Sequence, residues 1–261
     1  MLSKNLLRYH TAQRILTSLT IKQGLKYNNP STVAEIPHFI DFHGLDVTEI
    51  LEPIDTFHNF NEFFYRKLKP GARPCDEPAN PKVCVSPADC RMMAFDTVSE
   101  ATNVWIKGLG FSIPKLLGNE ILAETYVGGS LAIFRLAPQD YHRQMVSLAS
   151  RGTSMDSISR LDVYGENTRT ILTVNSPQFG LVTLACIGAM MVGSIIITAP
   201  PPGSHVKRTD EMGYFAFGGS TIVVLWQKGM IEFDTDLKEN AGEKIETLVK
   251  VGMRVGLRNG K

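Results

Sequence analysis

The sequence lacks a hydrophobic run that could cross a membrane as a helix, which requires about 20 consecutive apolar residues. Its longest apolar stretch, 187–199, is shorter and is interrupted by Gly188, Gly193 and Ser194. Charge of one sign is not in excess either, because 27 basic residues and 26 acidic ones leave a formal net charge of +1. Such a chain has no global field that attracts nucleic acid, so we expect no nucleic-acid partner.

Common enzyme signatures are also missing. The chain contains no GxGxxG after a strand, no P-loop, no GxSxG and no HExxH. No cysteine lies in a CxxC pair and no histidine stands at a metal-ligand spacing from one, so we expect no metal site. We expect buried free thiols in a reducing compartment for Cys75, Cys84, Cys90 and Cys186.

The amino-terminal segment has no acidic residue before Glu35. It carries five basic residues: Lys4, Arg8, Arg14, Lys22 and Lys26. This composition is compatible with an organellar transit peptide. It is equally compatible with a basic amphipathic helix that lies on a membrane or on the domain, and the sequence leaves both interpretations open.

The pattern of elements changes near residue 80. Before it, amphipathic stretches at 32–42, 47–51 and 60–68 predict a helical region, 1–80. After it, short β-prone runs follow one another at 83–86, 92–98, 131–136, 170–174, 181–186, 194–198 and 221–226. We therefore predict an α+β fold, with an antiparallel β sandwich or barrel-like catalytic domain over 81–261. The stretch 242–251 is compatible with a helix or a strand.

Gly218-Gly219-Ser220-Thr221 leads directly into a predicted strand. Two glycines before a hydroxyl residue permit backbone conformations closed to other residues and leave the Gly219 carbonyl sterically open. The Ser220 hydroxyl could then attack that carbonyl in an N-to-O acyl shift, and the ester could be lost by β-elimination. An ordinary turn before a strand is the alternative.

Two further residues are candidates for proton chemistry. Asp89, in Ser-Pro-Ala-Asp, either orients a histidine as the third member of a catalytic triad does or caps a turn. His142, in the polar turn after the predicted strand 131–136, titrates near neutral pH and is the natural acid–base group, unless it is merely solvated.

These strings occur together in the order of one family. The chain contains FNEFFYRKLKPGARP (60–74), SPAD (86–89), LAPQDYHR (136–143), IGAMMVGS (187–194) and GYFAFGGST (213–221). It thereby resembles the phosphatidylserine decarboxylase family from about residue 21 onward. The GGST form and the ENTR string at 166–169 resemble the eukaryotic type II branch.

The resemblance implies self-cleavage between Gly219 and Ser220. The products are a β chain of residues 1–219 and an α chain of residues 220–261, which begins with a covalent pyruvoyl group made from Ser220. By the same resemblance, Asp89 belongs to the triad that drives the cut. His142 is then the proton donor in the decarboxylation that follows.

The implied activity converts phosphatidylserine in membranes to phosphatidylethanolamine and CO2. The pyruvoyl carbonyl forms a Schiff base with the substrate amine and serves as an electron sink, as pyridoxal phosphate does. We therefore expect peripheral membrane association inside the cell, with the Golgi or endosome and the mitochondrion left open. The cleaved β and α chains stay together as partners, and a homodimer is left open.

The sequence departs from the family pattern in three places. Cys90 replaces the glycine that usually follows SPAD, which predicts strain in a turn built for glycine. Met145 stands where the family has the second histidine, the base of self-cleavage. The segment 144–160 looks shorter than usual and unrelated to the family, as a faulty gene model or a splice variant would make it.

A methionine cannot accept a proton, so self-cleavage is impaired in this chain unless His142 substitutes. Two alternative functions follow. One is a related decarboxylase of a soluble amino acid, because fold and cofactor do not fix the substrate. The other is an uncleaved, non-catalytic paralogue.

Overall fold

A computed structural model describes residues 26–104, 112–148, 153–161, 168–188, 195–218 and 220–260. The basic segment 1–25, with its two interpretations, lies outside the described residues. Within them the α-helices are α1 (Glu35–His43), α2 (Phe60–Phe64), α3 (Val98–Val104), α4 (Ile113–Leu117), α5 (Glu120–Glu124) and α6 (Thr235–Gly242). Short 3-10 helices cover Pro30–Ala34, Val47–Glu49 and Ile54–Thr56.

The strands of the described residues all pair in antiparallel fashion. They are β1 (Val83–Val85), β2 (Cys90–Phe95), β3 (Ser130–Leu136), β4 (Arg143–Met145), β5 (Ser154–Leu161), β6 (Arg169–Ser176), β7 (Gly180–Gly188), β8 (Ile195–Ile197), β9 (Glu211–Phe215), β10 (Ser220–Trp226), β11 (Ile231–Phe233), β12 (Thr247–Val249) and β13 (Arg254–Arg258). The large sheet has seven strands in the order β12-β2-β3-β10-β7-β6-β5. Two three-stranded sheets have the orders β1-β13-β11 and β4-β9-β8.

The seven-stranded sheet is covered on both faces, as its central strand shows. Alternate residues of β10 point to opposite faces. Ile222 and Val224 join a cluster shared with the two small sheets, which includes Phe215. Val223 and Leu225 join a second cluster, under helices α3 to α6. Burial on both faces explains why β10 reads as a nearly continuous hydrophobic run rather than as an alternating pattern.

The helical region before residue 80 has its own aromatic cluster, built mainly from residues 27–68. Helix α2 contributes Phe60, Phe63 and Phe64, as the apolar stripe predicts. The prediction of a helix over 60–68 is wrong in length, because Tyr65 has already left helical geometry (φ −98°, ψ 29°). Leu68 instead forms an extended bridge with Ile50.

The predicted α+β class with an antiparallel sheet is confirmed, and each predicted β run coincides with an observed strand over most of its length. The stretch 242–251 contains the strand β12. Within 144–160, Gln144 and Met145 lie in β4 and residues 154–160 lie in β5. The division at residue 80 stays a prediction. No helix of the described residues is long and apolar enough to span a bilayer.

Candidate active site

Ser220 is the first residue of β10, at one end of the seven-stranded sheet. It pairs with Leu136 on one side and with Gly188 on the other. Arg91, Arg135 and Thr221 stand side by side on β2, β3 and β10, one row further in. Asp89 precedes β2 at the same end, so it lies about 10 Å from Ser220, two strand spacings away.

The Ser220 hydroxyl is buried and turned toward the chain that precedes it. The residue is 4% exposed, and its Oγ donates a hydrogen bond to the Gly218 carbonyl at 3.1 Å. Gly218 has φ +140°, a conformation that favours glycine because it has no Cβ. Gly219 lies outside the described residues. Gly218 therefore has a backbone conformation of the kind expected before the hydroxyl, and the open Gly219 carbonyl stays a prediction.

His142 is fully buried, between β4 and helix α2. Its Nδ1 lies 2.8 Å from the Asp140 carbonyl, and its ring lies 4.0 Å from that of Phe64. Its Nε2 is buried and has no hydrogen-bond partner among the residues that the structure describes. Burial lowers the pKa of His142 from 6.5 to about 3. The hydrogen bond to the Asp140 carbonyl opposes this shift, whereas the charge of Arg66 lowers the pKa further. The ring is therefore neutral at pH 7, with Nδ1–H as donor and Nε2 as a free acceptor. A solvated loop histidine is excluded.

Asp89 is held by an arginine rather than by a histidine. Both carboxylate oxygens accept hydrogen bonds from Arg73, at 2.6 to 3.0 Å, and Oδ1 also accepts one from the Val251 amide at 2.9 Å. Arg73 forms a second ion pair with Glu49 at 2.9 Å. Burial alone would lower the pKa of Arg73, but the bonds to Asp89 and Glu49 outweigh it and raise the pKa. Asp89 is thus a buried, paired anion.

Met145 lies alongside the SPAD segment. Its amide donates to the Pro87 carbonyl at 2.8 Å, two residues from Asp89. The position at which the family pattern has a histidine therefore lies beside Pro87, two residues before the aspartate. Cys90 is buried as the first residue of β2, and its φ is not positive, so the strain predicted there is wrong. Cys84 and Cys186 are also buried, whereas Cys75 is only half-buried, against the expectation for it.

The structure brings Ser220, Asp89 and His142 to one end of the sheet without direct hydrogen bonds among them. Phe64 links two of the regions, because its ring contacts His142 and lies 5.1 Å from the ring of Phe217, just before the Gly-Gly pair. Sequence reasoning missed the role of Arg73 as the partner of Asp89. Its signal was present, since Arg73 lies within the quoted 60–74 string, but the sequence does not reveal which acid it meets.

Comparison with known proteins places these residues in a family. A family model described as "Phosphatidylserine decarboxylase" matches residues 60–257. Fission yeast phosphatidylserine decarboxylase proenzyme 3 is 47% identical over 94% of this chain and 26% of its own length. Budding yeast proenzyme 2 is 44% identical over 93% of the chain and 22% of its own. The Fusobacterium nucleatum proenzyme is 34% identical over 89% of the chain and 81% of its own.

The chain spans about a quarter of the length of these two yeast relatives. It covers most of the bacterial one, and the matched region contains Asp89, His142 and Ser220. The chain belongs to the phosphatidylserine decarboxylase family.

Proposed function

We propose that this chain is a phosphatidylserine decarboxylase proenzyme that cuts itself between Gly219 and Ser220. The observation that carries the proposal is the geometry around Ser220. The buried Ser220 hydroxyl lies two residues after Gly218, which has φ +140°, and donates a hydrogen bond to the Gly218 carbonyl. It lies at the same end of the sheet as a buried imidazole with an unpartnered nitrogen. Family membership supports the assignment.

The cut begins at the Ser220 hydroxyl. Its Oγ attacks the Gly219 carbonyl carbon and its proton passes to a base. The C–N bond breaks as the amine of residue 220 leaves, and an ester to Oγ remains. Loss of the α proton of residue 220 then breaks the Cβ–Oγ bond, which releases Gly219 as a carboxylate. The resulting dehydroalanine tautomerises to an imine, and water replaces its nitrogen, released as ammonia, to give the pyruvoyl group.

We assign the base of the first step to His142, because Met145 cannot serve. Its Nε2 lone pair is free and its ring is neutral at pH 7. A base whose pKa is about 3 is a weak one, so self-cleavage is slow. Asp89, fixed by Arg73, contributes a negative charge nearby rather than a direct contact with the base.

A pyruvoyl group at residue 220 supplies the electron sink for decarboxylation of an amine-bearing substrate. The buried start of β10, two residues after Gly218 at φ +140°, fits a small group of this kind. In that reaction His142 would return a proton to the substrate. Its Nδ1–H bond to the Asp140 carbonyl fixes the ring so that Nε2 is the nitrogen available for transfer.

The proposed substrate is phosphatidylserine in a membrane, with phosphatidylethanolamine and CO2 as products. The protein would associate peripherally with an intracellular membrane, and its cleaved β and α chains would remain paired, since β10 lies between β3 and β7 of the other fragment. Release of CO2 from phosphatidylserine vesicles, compared with free serine and tryptophan, tests the substrate. Ser220→Ala should abolish the activity; activity that survives this change contradicts the pyruvoyl mechanism.

A second candidate function is favoured by Met145 and by the ion pair of Asp89 with Arg73. Together they leave the aspartate without a histidine, as in an uncleaved, non-catalytic paralogue. This candidate predicts a single intact chain that releases no CO2 under any of the conditions above.

A further inference from the structure

The main chain just before the proposed cleavage site is held by a side chain from the helical region. The amide of Phe217, two residues before Gly219, donates to Asn61 Oδ1 at 2.8 Å. Asn61 lies in helix α2 and is only 7% exposed. Because little water can replace the bond, its loss leaves a buried donor without a partner.

A second hydrogen bond fixes the orientation of the Asn61 carboxamide. Its Nδ2 donates to Asn28 Oδ1 at 2.7 Å. Since the nitrogen is engaged there, the oxygen faces Phe217 and acts as an acceptor. The carboxamide is therefore set in the orientation that the Phe217 amide requires.

The side chain of Phe217 is held by the same region. Its ring stacks on Tyr27 at a centroid distance of 3.7 Å and lies 5.8 Å from Phe60. Backbone and side chain of Phe217 are thus both held, immediately before Gly218. The turn that presents the Ser220 hydroxyl to the preceding carbonyl begins at this fixed point.

Helix α2 also contacts the proposed base. Phe64 lies three residues after Asn61, a spacing that puts both on one face of a helix. The Phe64 ring is 4.0 Å from that of His142. One helix face therefore holds the segment that carries the nucleophile and the residue that would take its proton.

We propose that Asn61 is a positioning residue for self-cleavage, acting through the Phe217 amide on the Gly218–Ser220 turn. This inference rests on the proposed function. Phe217 stays on the amino side of the cut, whereas the pyruvoyl group begins the other fragment. The carboxamide therefore affects the acyl shift and not the later decarboxylation.

Three variants test the role. Asn61→Leu keeps the approximate shape and removes both hydrogen bonds, and it should slow cleavage by about ten- to a hundredfold, as small misplacements of reacting groups do. Asn61→Asp keeps an acceptor for Phe217 and should retain most of the rate. Thr32→Val is the matched control, because it removes the buried bond from the Phe60 amide of the same helix, and the bonds of its own hydroxyl to the Tyr27 and Asn29 carbonyls, without removing a hydrogen bond of Phe217. It should cleave at the wild-type rate.

Two readouts separate positioning from general damage. In an uncleavable Ser220→Ala background, Asn61→Leu should speed hydrogen exchange of the Phe217 amide by at least about tenfold. The Phe215 amide, bonded to the His142 carbonyl at 2.9 Å, should be unchanged. Hydroxylamine, which cuts esters, should release no fragments from uncleaved Asn61→Leu beyond the wild-type level, because the acyl shift itself is impaired. The CO2 release per pyruvoyl group should equal that of the wild type.

Each outcome is decisive. If Asn61→Leu is cleaved at the wild-type rate, or if hydrogen exchange of the Phe217 amide is unchanged, the positioning role is overturned but the proposed function is not. Equal loss of cleavage in Thr32→Val and Asn61→Leu also overturns it, since any damage to the helix would then suffice. If neither the wild type nor Met145→His is cut between Gly219 and Ser220, the proposed function fails, and the positioning role fails with it.

Discussion

Asp89 and His142 lie at the same end of the seven-stranded sheet, but their polar atoms are used to very different extents. Arg73 and the Val251 amide occupy both oxygens of Asp89. His142 has one partnered nitrogen and one that is buried with none. A fully satisfied ion pair supports the structure, whereas an unsatisfied buried acceptor is costly, and a catalytic role is one explanation for it. The contrast is the basis on which we propose structural support for Asp89 and proton transfer for His142.

The largest expected effect follows from replacing the side chains of His142 and Asp89 by neutral amide side chains. His142→Gln should slow self-cleavage by about a thousandfold, because it removes the general base. Asp89→Asn should slow it by only about tenfold, since the aspartate does not contact the base. The two rates are measured from the fragments on denaturing gels over time. A larger loss for Asp89→Asn than for His142→Gln would reverse the assignment.

Restoring a histidine beside Asp89 sharpens the same contrast. Met145→His should raise the cleavage rate by about a hundredfold, because it adds a base of ordinary basicity at the position next to Pro87. The same change in a His142→Gln background should still accelerate cleavage. Met145→Leu is the matched control and should behave as the wild type. No acceleration in Met145→His would show that position 145 cannot reach the serine.

If Asp89 serves as structural support, removal of its arginine partner should lower the stability of the fold. Arg73→Gln should lower the free energy of unfolding by about 3 kcal/mol, because a buried carboxylate loses its cation. Arg254→Gln removes a similar two-pronged bond, to Asp234, at an exposed site, and should cost less than about 1 kcal/mol. Urea unfolding of uncleaved Ser220→Ala protein measures both. Equal losses would show that the Asp89 pair is no more than a surface contact.

The last expected effect, small for each pH unit, concerns the dependence of stability on pH. Because the pKa of His142 falls from 6.5 to about 3 on folding, the unfolded chain binds a proton between these values that the folded chain does not. The folded state should therefore lose up to about 1.4 kcal/mol of stability per pH unit as pH falls below 6.5. His142→Gln should flatten this slope in urea unfolding. An unchanged slope in His142→Gln would contradict the buried, neutral ring.

Much of the fold is predictable because periodicity and turn residues are local signals. The run Ile222 to Trp226 consists of β-branched, aliphatic and aromatic residues, which favour a strand, and it forms one. The length of helix α2 is not predictable from local signals, because the bridge between Ile50 and Leu68 competes with the last helical turn. The short edge strand β12 is equally hard to predict from the sequence. Three residues carry little periodicity, and only pairing with β2 fixes them.

The site, like the fold, is predictable only where the signal is local in the sequence. The sequence identifies Ser220, Asp89 and His142 by motif, and local order predicts the glycine conformation before the serine. It does not identify Arg73 as the partner of Asp89 or Asn61 as the acceptor for Phe217. These contacts join residues 16 and 156 positions apart, and tertiary packing alone decides them.

The central claim is that the chain cuts itself at Ser220, and the intact mass of the purified wild-type protein after prolonged incubation tests it most directly. The account predicts two fragments that separate between Gly219 and Ser220, with a blocked amino terminus on the smaller one, which accumulate slowly. A single chain of 28.9 kDa that persists in the wild type and in Met145→His would contradict it.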